Sequence, residues 1–145
     1  MLGERCQVSI KLDDKGRIAL PARLRHKLRD AGINALVLTY FDGGIKAYTP
    51  AWFETRIEGP IAQRDPFDPD VQVLHHAVLA EAEDCSVDGQ GRVRIPSRLL
   101  EASGLDDECV LLSILDWVEL WSPERWAARR VEARQARQAQ RVRSD

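Results

Sequence analysis

The first third of the chain switches between strand-like and helix-like spacing of its apolar residues. In residues 6–12 (CQVSIKL) apolar and polar side chains alternate, which predicts a strand buried on one face. Pro21 suits the first turn of a helix, and Leu24 and Leu28 lie one turn apart on its buried side. Gly32 is a typical helix stop. The pattern predicts a strand, a turn and a short basic helix.

A hairpin, a second helix and a connecting segment follow. The apolar runs NALVLTY and IKAY, joined by DGG, predict two strands and a tight turn. Thr49 and Pro50 then supply the N-cap and the first residue of a helix, AWFETRIE. Residues 58–69 are rich in Pro, Gly and Asp, which favours a linker, and the apolar spacing after Pro69 predicts a connecting helix.

The same order of elements returns in the second half of the chain. DDKGRIALPARLR (13–25) matches DGQGRVRIPSRLL (88–100) at an offset of 75, and Thr49-Pro50 matches Ser122-Pro123 at an offset of 73. An internal duplication of this length outranks any single-residue signal. The chain is therefore divided into four segments: a first repeat at 6–56, a linker and connecting helix at 57–83, a second repeat at 84–128 and a basic tail at 129–145.

Both repeats contain a turn with the pattern D-x-x-G-R. Three pairs of residues coincide in it, namely Asp13 with Asp88, Gly16 with Gly91 and Arg17 with Arg92. The glycines are interpreted as turn residues that take a positive φ. The aspartates are interpreted as structural, because a carboxylate in the turn can brace and orient the arginine. Two roles remain open for each arginine: contact with an external anion such as a DNA phosphate, or an internal ion pair that locks the turn.

Charge is segregated along the chain, although the net charge is only −2. Residues 1–29 and the tail after Trp126 are basic, and residues 54–88 are acidic. Such segregation permits a local basic face on a nearly neutral protein. Lys11 and Lys15 are candidates for phosphate attraction that positions the protein without reading sequence.

Several functional classes find no support. The cysteines, Cys6, Cys85 and Cys109, form no CxxC pair, and the histidines show no ligand spacing, so we expect reduced thiols and no metal site. No nucleophile–base pair or phosphate-cradling loop is evident, so we expect neither catalysis nor a cofactor. No apolar run approaches the length of a membrane span, and the N-terminus lacks the apolar stretch of a signal peptide. We expect a cytoplasmic protein without a small-molecule substrate.

The paired DKGR and DGQGR turns, each followed by a hydrophobic–Pro step and a short helix, resemble the AbrB/SpoVT DNA-binding element. Their tandem arrangement, with VELW after the second copy, is similar to the MraZ family from about Gly3 to about Trp126. This resemblance implies a mixed α+β, mainly β fold. In it, two tandem AbrB/SpoVT-like repeats form one swapped-hairpin β-barrel with short flanking helices.

The resemblance also implies a function. In that family the protein is a bacterial transcriptional regulator of the division and cell-wall gene cluster, associated with the nucleoid. It assembles as a homo-oligomeric ring on double-stranded DNA, at repeated sites near its own promoter, and a ring predicts direct repeats. The family's DNA-contacting arginine maps to Arg17, with Lys15 beside it and Arg92 as its equivalent in the second turn. Arg25 maps to a further DNA-facing arginine of relatives that carry a single copy of the element. Gln90 replaces the lysine that many relatives have in the second turn, which weakens the case for DNA contact at that turn.

One alternative belongs to a different functional class. The chain would then be a structural or protein-interaction module, antitoxin-like, with only nonspecific affinity for DNA, and its basic tail would occlude another protein. The four tryptophans are interpreted as anchors of the core or of a subunit interface. They are Trp52, Trp117, Trp121 and Trp126.

Overall fold

The computed structural model describes residues 5–144. Its strands are β1 (Cys6–Lys11), β2 (Arg17–Ala19), β3 (Ala35–Phe41), β4 (Gly44–Tyr48), β5 (Glu83–Ser86), β6 (Arg92–Arg94), β7 (Glu108–Ile114) and β8 (Trp117–Trp121). Its α-helices are α1 (Ala22–Asp30), α2 (Pro50–Phe53), α3 (Gly59–Ala62), α4 (Pro69–Leu74), α5 (Ser97–Ser103) and α6 (Pro123–Ser144). Two π-helical turns, Glu54–Glu58 and His75–Leu79, continue α2 and α4. The mixed α+β fold class is confirmed. Gly3, where the resemblance begins, and residue 145, where the predicted tail ends, lie outside the described residues.

The strand order repeats the internal duplication. Six strands form one antiparallel sheet in the order β1-β7-β8-β4-β3-β5, and β2 and β6 form a separate two-stranded ribbon. When each strand is replaced by its counterpart in the other repeat, the result is the same order read from the opposite edge of the sheet. The first strand of each repeat therefore pairs with the hairpin of the other repeat.

The residue pairing follows the same symmetry. Val8 of β1 lies opposite Leu111 of β7, and the equivalent pair is Glu83 of β5 opposite Leu38 of β3. In the centre of the sheet β4 pairs with β8, its own counterpart. The ribbon is not hydrogen-bonded into the sheet. Closure into a single barrel therefore stays a prediction.

The main core lies between the ribbon, two helices and one face of the sheet. Ile18 of β2 and Val93 of β6 point into it, and both are at most 2% exposed. Leu28 of α1 and Leu99 of α5 are buried in the same cluster. We call the sheet face that packs here the inner face. Because the ribbon's apolar side chains are inside, the alternate residues of β2 and β6 project outward.

Aromatic side chains cover two parts of the opposite, outer face. Near β4, Tyr48 stacks on Trp52 with ring centroids 5.1 Å apart, and Trp117 packs against both rings. Near β7, the rings of Trp121 and Trp126 lie 6.2 Å apart. The tryptophans thus pack against other side chains of the same chain, as expected of anchors of the core. A role in subunit contact stays a prediction.

The linker predicted at 58–69 is partly wrong, because the helix after Pro50 continues to Ala62. Thr49 caps this helix as expected, accepting a hydrogen bond from the Trp52 N–H at 3.3 Å. Proline interrupts a regular helix because it has no N–H to donate. Just before Pro60 the hydrogen bonds widen to the π pattern, and the Gly59 N–H donates to the Glu54 carbonyl. The wider turn accommodates the proline ring.

The three cysteines are free thiols. Burial raises the pKa of Cys109 to about 12 and, with help from nearby carboxylates, that of Cys85 to about 11. Both groups are therefore protonated and unreactive at neutral pH. Within residues 5–144, no helix combines the length and the apolar character needed to cross a membrane.

Candidate nucleic-acid interface

The first D-x-x-G-R turn is closed by its aspartate. The Oδ1 atom of Asp13 accepts hydrogen bonds from the backbone N–H groups of Lys15, at 2.9 Å, and Arg17, at 2.8 Å. Gly16 lies between them with φ +74°, a conformation that costs a side chain steric strain. The second oxygen of Asp13 accepts from the Arg17 Nε at 2.7 Å. The carboxylate thus shapes the turn and also orients the guanidinium group.

The second turn repeats this geometry atom for atom. Asp88 Oδ1 accepts from the N–H groups of Gln90 and Arg92, both at 2.9 Å, and Oδ2 accepts from the Arg92 Nε at 2.9 Å. Gly91 has φ +75°. Both internal ion pairs therefore exist. They engage the arginines through Nε and leave about a quarter to a third of each side chain exposed: 26% for Arg17 and 33% for Arg92.

These hydrogen bonds hold the pKa of Asp13 and Asp88 below its ordinary value. The largest cause at each site is the backbone N–H of the turn arginine, and the arginine side chain adds to it. The carboxylates are therefore ionised throughout the physiological pH range. A fixed negative charge beside each guanidinium limits its orientations and does not remove its outward donors.

We expect the loss of stability at acidic pH to depend on these two carboxylates. A depressed folded-state pKa gives stability that is present above the ordinary value, about 4, and is lost as the pH falls through the folded-state value. Asp13→Asn/Asp88→Asn keeps one oxygen acceptor for the backbone N–H groups of each turn, and removes the charge and the acceptor of the arginine Nε. The variant should melt slightly below the unsubstituted protein at pH 7, and the difference should vanish in strong acid. Tm measured between pH 7 and pH 2 checks this, and a constant difference would contradict it.

The two turns lie at opposite ends of the β2–β6 ribbon and are bonded across it. The Leu20 N–H donates to the Gly91 carbonyl, and the Ile95 N–H donates to the Gly16 carbonyl, both at 2.9 Å. Each turn is therefore held by the strand that leaves the other turn. The ribbon fixes the distance and orientation of the two turns relative to each other.

Each turn is also covered by the helix of the other repeat. Leu100 of α5 packs on Gly16, and its counterpart, Arg25 of α1, packs on Gly91 so closely that a β-carbon there would overlap the Arg25 Cδ. The Arg25 Nη1 reaches the Gln90 carbonyl at 3.4 Å, and its Nε is buried with no hydrogen-bond partner among the described residues. Arg25 thus brings a positive charge to the second turn, at the place where Lys15 does so in the first.

The outer face of the ribbon carries one arginine that the sequence analysis did not single out. The register puts Arg94 opposite Arg17, and Arg92 opposite Ala19. Directly opposed residues of an antiparallel pair project to the same face, so all three arginines share one surface. The repeat alignment could not find Arg94, because its counterpart is Ala19. The alternation R-V-R in β6 was the available signal.

Lys11 is placed differently from the other candidate residues. It lies on β1 opposite Glu108 and lines a surface depression with Asp106 and Asp107. Carboxylates around it reduce the attraction for a phosphate. The DNA contact of Lys11 stays a prediction, and its surroundings are less favourable than those of Lys15.

Comparison with known proteins gives a consistent set of relatives. A family model described as "MraZ protein, putative antitoxin-like" matches residues 78–143. The Transcriptional regulator MraZ of Hydrogenovibrio crunogenus is 37% identical over 126 residues, which cover 86% of this chain and 82% of the relative. The protein of the same name from Thioalkalivibrio sulfidiphilus is 36% identical, covering 86% of this chain and 83% of its own length. The protein of the same name from Thermomicrobium roseum is 34% identical, covering 81% of this chain and 80% of its own length.

These relatives are named as regulators and not as enzymes. The aligned regions cover about four fifths of each protein, so they extend well beyond a single repeat. On this identity and coverage, the chain belongs to the MraZ family.

Proposed function

We propose that this chain is a sequence-specific DNA-binding regulator of transcription, and that it contacts double-stranded DNA through the two turns and the outer face of the ribbon. The observation that carries the proposal is the pair of arginine turns fixed at the ends of one rigid ribbon. Arg17 and Arg92 are each braced by a carboxylate, with outward donors available for a phosphate or a guanine edge. The names of the relatives support the same function.

The charge around each turn supports contact at both. The first turn has Lys15 and Arg17, and the second has Arg92 with Arg25 reaching in from α1. Gln90 removes a lysine from the second turn, but the guanidinium of Arg25 lies against the Gln90 carbonyl and restores a positive charge there. We therefore include Arg25 and Arg92 in the proposed interface, beside Arg17 and Lys15. Asp13, Gly16, Asp88 and Gly91 shape the turns.

We further propose that the protein acts as a ring of identical subunits on its own promoter, upstream of division and cell-wall genes. Head-to-tail contacts that close into a ring present the same turn to DNA in the same sense on every subunit. Adjacent subunits would then meet direct repeats spaced by about one helical turn, roughly 10 base pairs. Such a protein acts in the cytoplasm, at the nucleoid.

A footprint of the region upstream of this gene tests the arrangement. We expect protected direct repeats at a spacing of about one turn of DNA, because each subunit of a ring presents its first turn in the same direction. The mass of the protein in solution, measured by light scattering, should correspond to a closed oligomer. A protected inverted repeat would contradict the ring arrangement, because it requires subunits that face each other.

A protein-interaction role is the second candidate, and one observation favours it. Residues 127–143 of α6 are all exposed, so this helix is available to a partner. A gel shift titrated with salt separates the two functions. A steep loss of affinity with salt, together with a preference for the promoter over a scrambled duplex, supports the regulator. Weak binding without sequence preference supports the interaction module.

A further inference from the structure

Arg94 and Arg17 form a pair of like charges at the centre of the ribbon. They are directly opposite each other in the β2–β6 register, and they alternate with the core residues Ile18 and Val93. Opposed side chains of an antiparallel pair have Cβ atoms about 4.5–5.5 Å apart. One guanidinium from each repeat therefore lies on the same small area of the outer face.

The contacts of Arg94 hold it beside the first turn. Its Nε donates to the Lys15 carbonyl at 3.1 Å, across the boundary between the repeats. Arg17 is held in the same way, by its Nε on Asp13. Within residues 5–144, the hydrogen bonds found for these two guanidinium groups use Nε alone. Their terminal nitrogens remain as donors for a ligand.

The pair lacks an anion on the side of Arg94. Like charges directly opposite each other on neighbouring strands are destabilising. Asp13 offsets the charge of Arg17. Asp14 and Glu83 line the same surface depression as Arg94, but among the described residues no carboxylate lies within ion-pairing distance of Arg94. Arg98, four residues later, contrasts with it, because Glu81 and Glu83 lie within 3.5 Å of its guanidinium. A phosphate beside Arg94 would relieve the repulsion and satisfy the terminal donors of Arg94, and those of Arg17 would stay available for a base edge.

We propose that Arg94 binds a backbone phosphate of double-stranded DNA, and that it forms a clamp built from both repeats at the first turn with Arg17, which contacts the adjacent base edge. The inference rests on the proposed DNA-binding function. It also makes the interface electrostatically asymmetric. At the second turn the residue opposite Arg92 is Ala19, so the clamp has no counterpart there.

A phosphate is favoured over a base edge as the ligand. The Nε of Arg94 is anchored on a neutral backbone carbonyl, whereas that of Arg17 is anchored on a carboxylate, so the charge of Arg94 favours an anionic ligand. Phosphate contacts position a protein and carry no sequence information. Loss of Arg94 should therefore weaken binding to all duplexes alike, whereas loss of a base-reading arginine removes the preference for one of them.

The test compares Arg94→Ala, Arg94→Lys and Arg56→Ala with the unsubstituted chain. Arg56 lies over Trp52 on the outer side of the sheet, away from the ribbon, and its removal changes the net charge equally. Binding is measured by fluorescence anisotropy on a duplex from upstream of this gene and on a scrambled duplex, across a salt series. We expect Arg94→Ala to weaken binding about tenfold on both duplexes and to lower the salt slope by about one. Arg94→Lys should keep the slope, and Arg56→Ala should change neither quantity.

Each other outcome has a definite meaning. An unchanged salt slope for Arg94→Ala would overturn the phosphate contact, as would a loss confined to the promoter duplex. A lower Tm together with an unchanged slope would make Arg94 a brace for the first turn only. If the unsubstituted chain binds neither duplex, the proposed function itself fails, and that result is distinct from an Arg94 effect.

Discussion

The Arg17→Ala variant is expected to lose specific DNA binding while it melts within a few degrees of the unsubstituted protein. The ion pair that it removes is partly exposed, with 26% of the Arg17 side chain and 32% of the Asp13 side chain accessible. Pairs that are exposed to this extent contribute little to the free energy of unfolding. The backbone N–H of residue 17 still donates to Asp13 in the variant, so the main hydrogen bonds of the turn persist. We expect Tm to fall by about 2–4 °C at most.

The effect on binding should be much larger than the effect on stability. A bidentate contact with a guanine is worth about 1–3 kcal/mol of discrimination, which corresponds to roughly ten- to hundredfold in affinity. Anisotropy with the promoter duplex measures the affinity, and scanning fluorimetry measures Tm. Arg56→Ala is the matched control, because it removes an arginine that lies over Trp52, away from the ribbon. A strong fall in Tm with retained binding would assign Arg17 to the internal ion pair alone.

Local signals in the sequence were enough to predict most of the elements. The Thr49 cap is satisfied as expected, and α1 buries Leu24 and Leu28 on one side. The duplication also identified the two turns, because a D-x-x-G-R pattern requires an acceptor and a glycine at fixed positions. These features depend on residues that are close together in the chain, and sequence patterns report them well.

Features that depend on contact between the repeats could not be predicted. Arg25 was assigned by resemblance to DNA contact alone, and its packing on Gly91, 66 residues away in the chain, has no local signature. Arg94 differs from its counterpart, Ala19, so comparison of the two repeats did not identify Arg94 as a candidate residue. The helical continuation through Gly59 and Pro60 was missed for another reason. A π turn changes which backbone groups pair, and propensity rules assume the regular pattern.

The Gly91→Ala variant should be the most informative test of the contact between the repeats. Alanine at φ +75° costs about 1–2 kcal/mol by itself. The new methyl group would also overlap Cδ and Cγ of Arg25, which is half-buried against the turn. Overpacking of this kind typically adds about 1–3 kcal/mol. We expect a total loss of about 2–5 kcal/mol in the free energy of unfolding, measured by urea denaturation.

Two other glycines serve as controls that separate the cost of backbone strain from the cost of overlap with Arg25. Gly32 has φ +71° and nothing within 4 Å of a β-carbon, so Gly32→Ala measures strain alone. Gly89 has the same open space and no positive φ, so Gly89→Ala should be nearly neutral. The double variant Arg25→Ala/Gly91→Ala removes the overlap, and its added cost over Arg25→Ala should fall to the Gly32 value. If Gly91→Ala costs no more than Gly32→Ala in the presence of Arg25, that side chain moves aside freely. The second turn would then lack a fixed cation, and its proposed DNA contact would lose its main support.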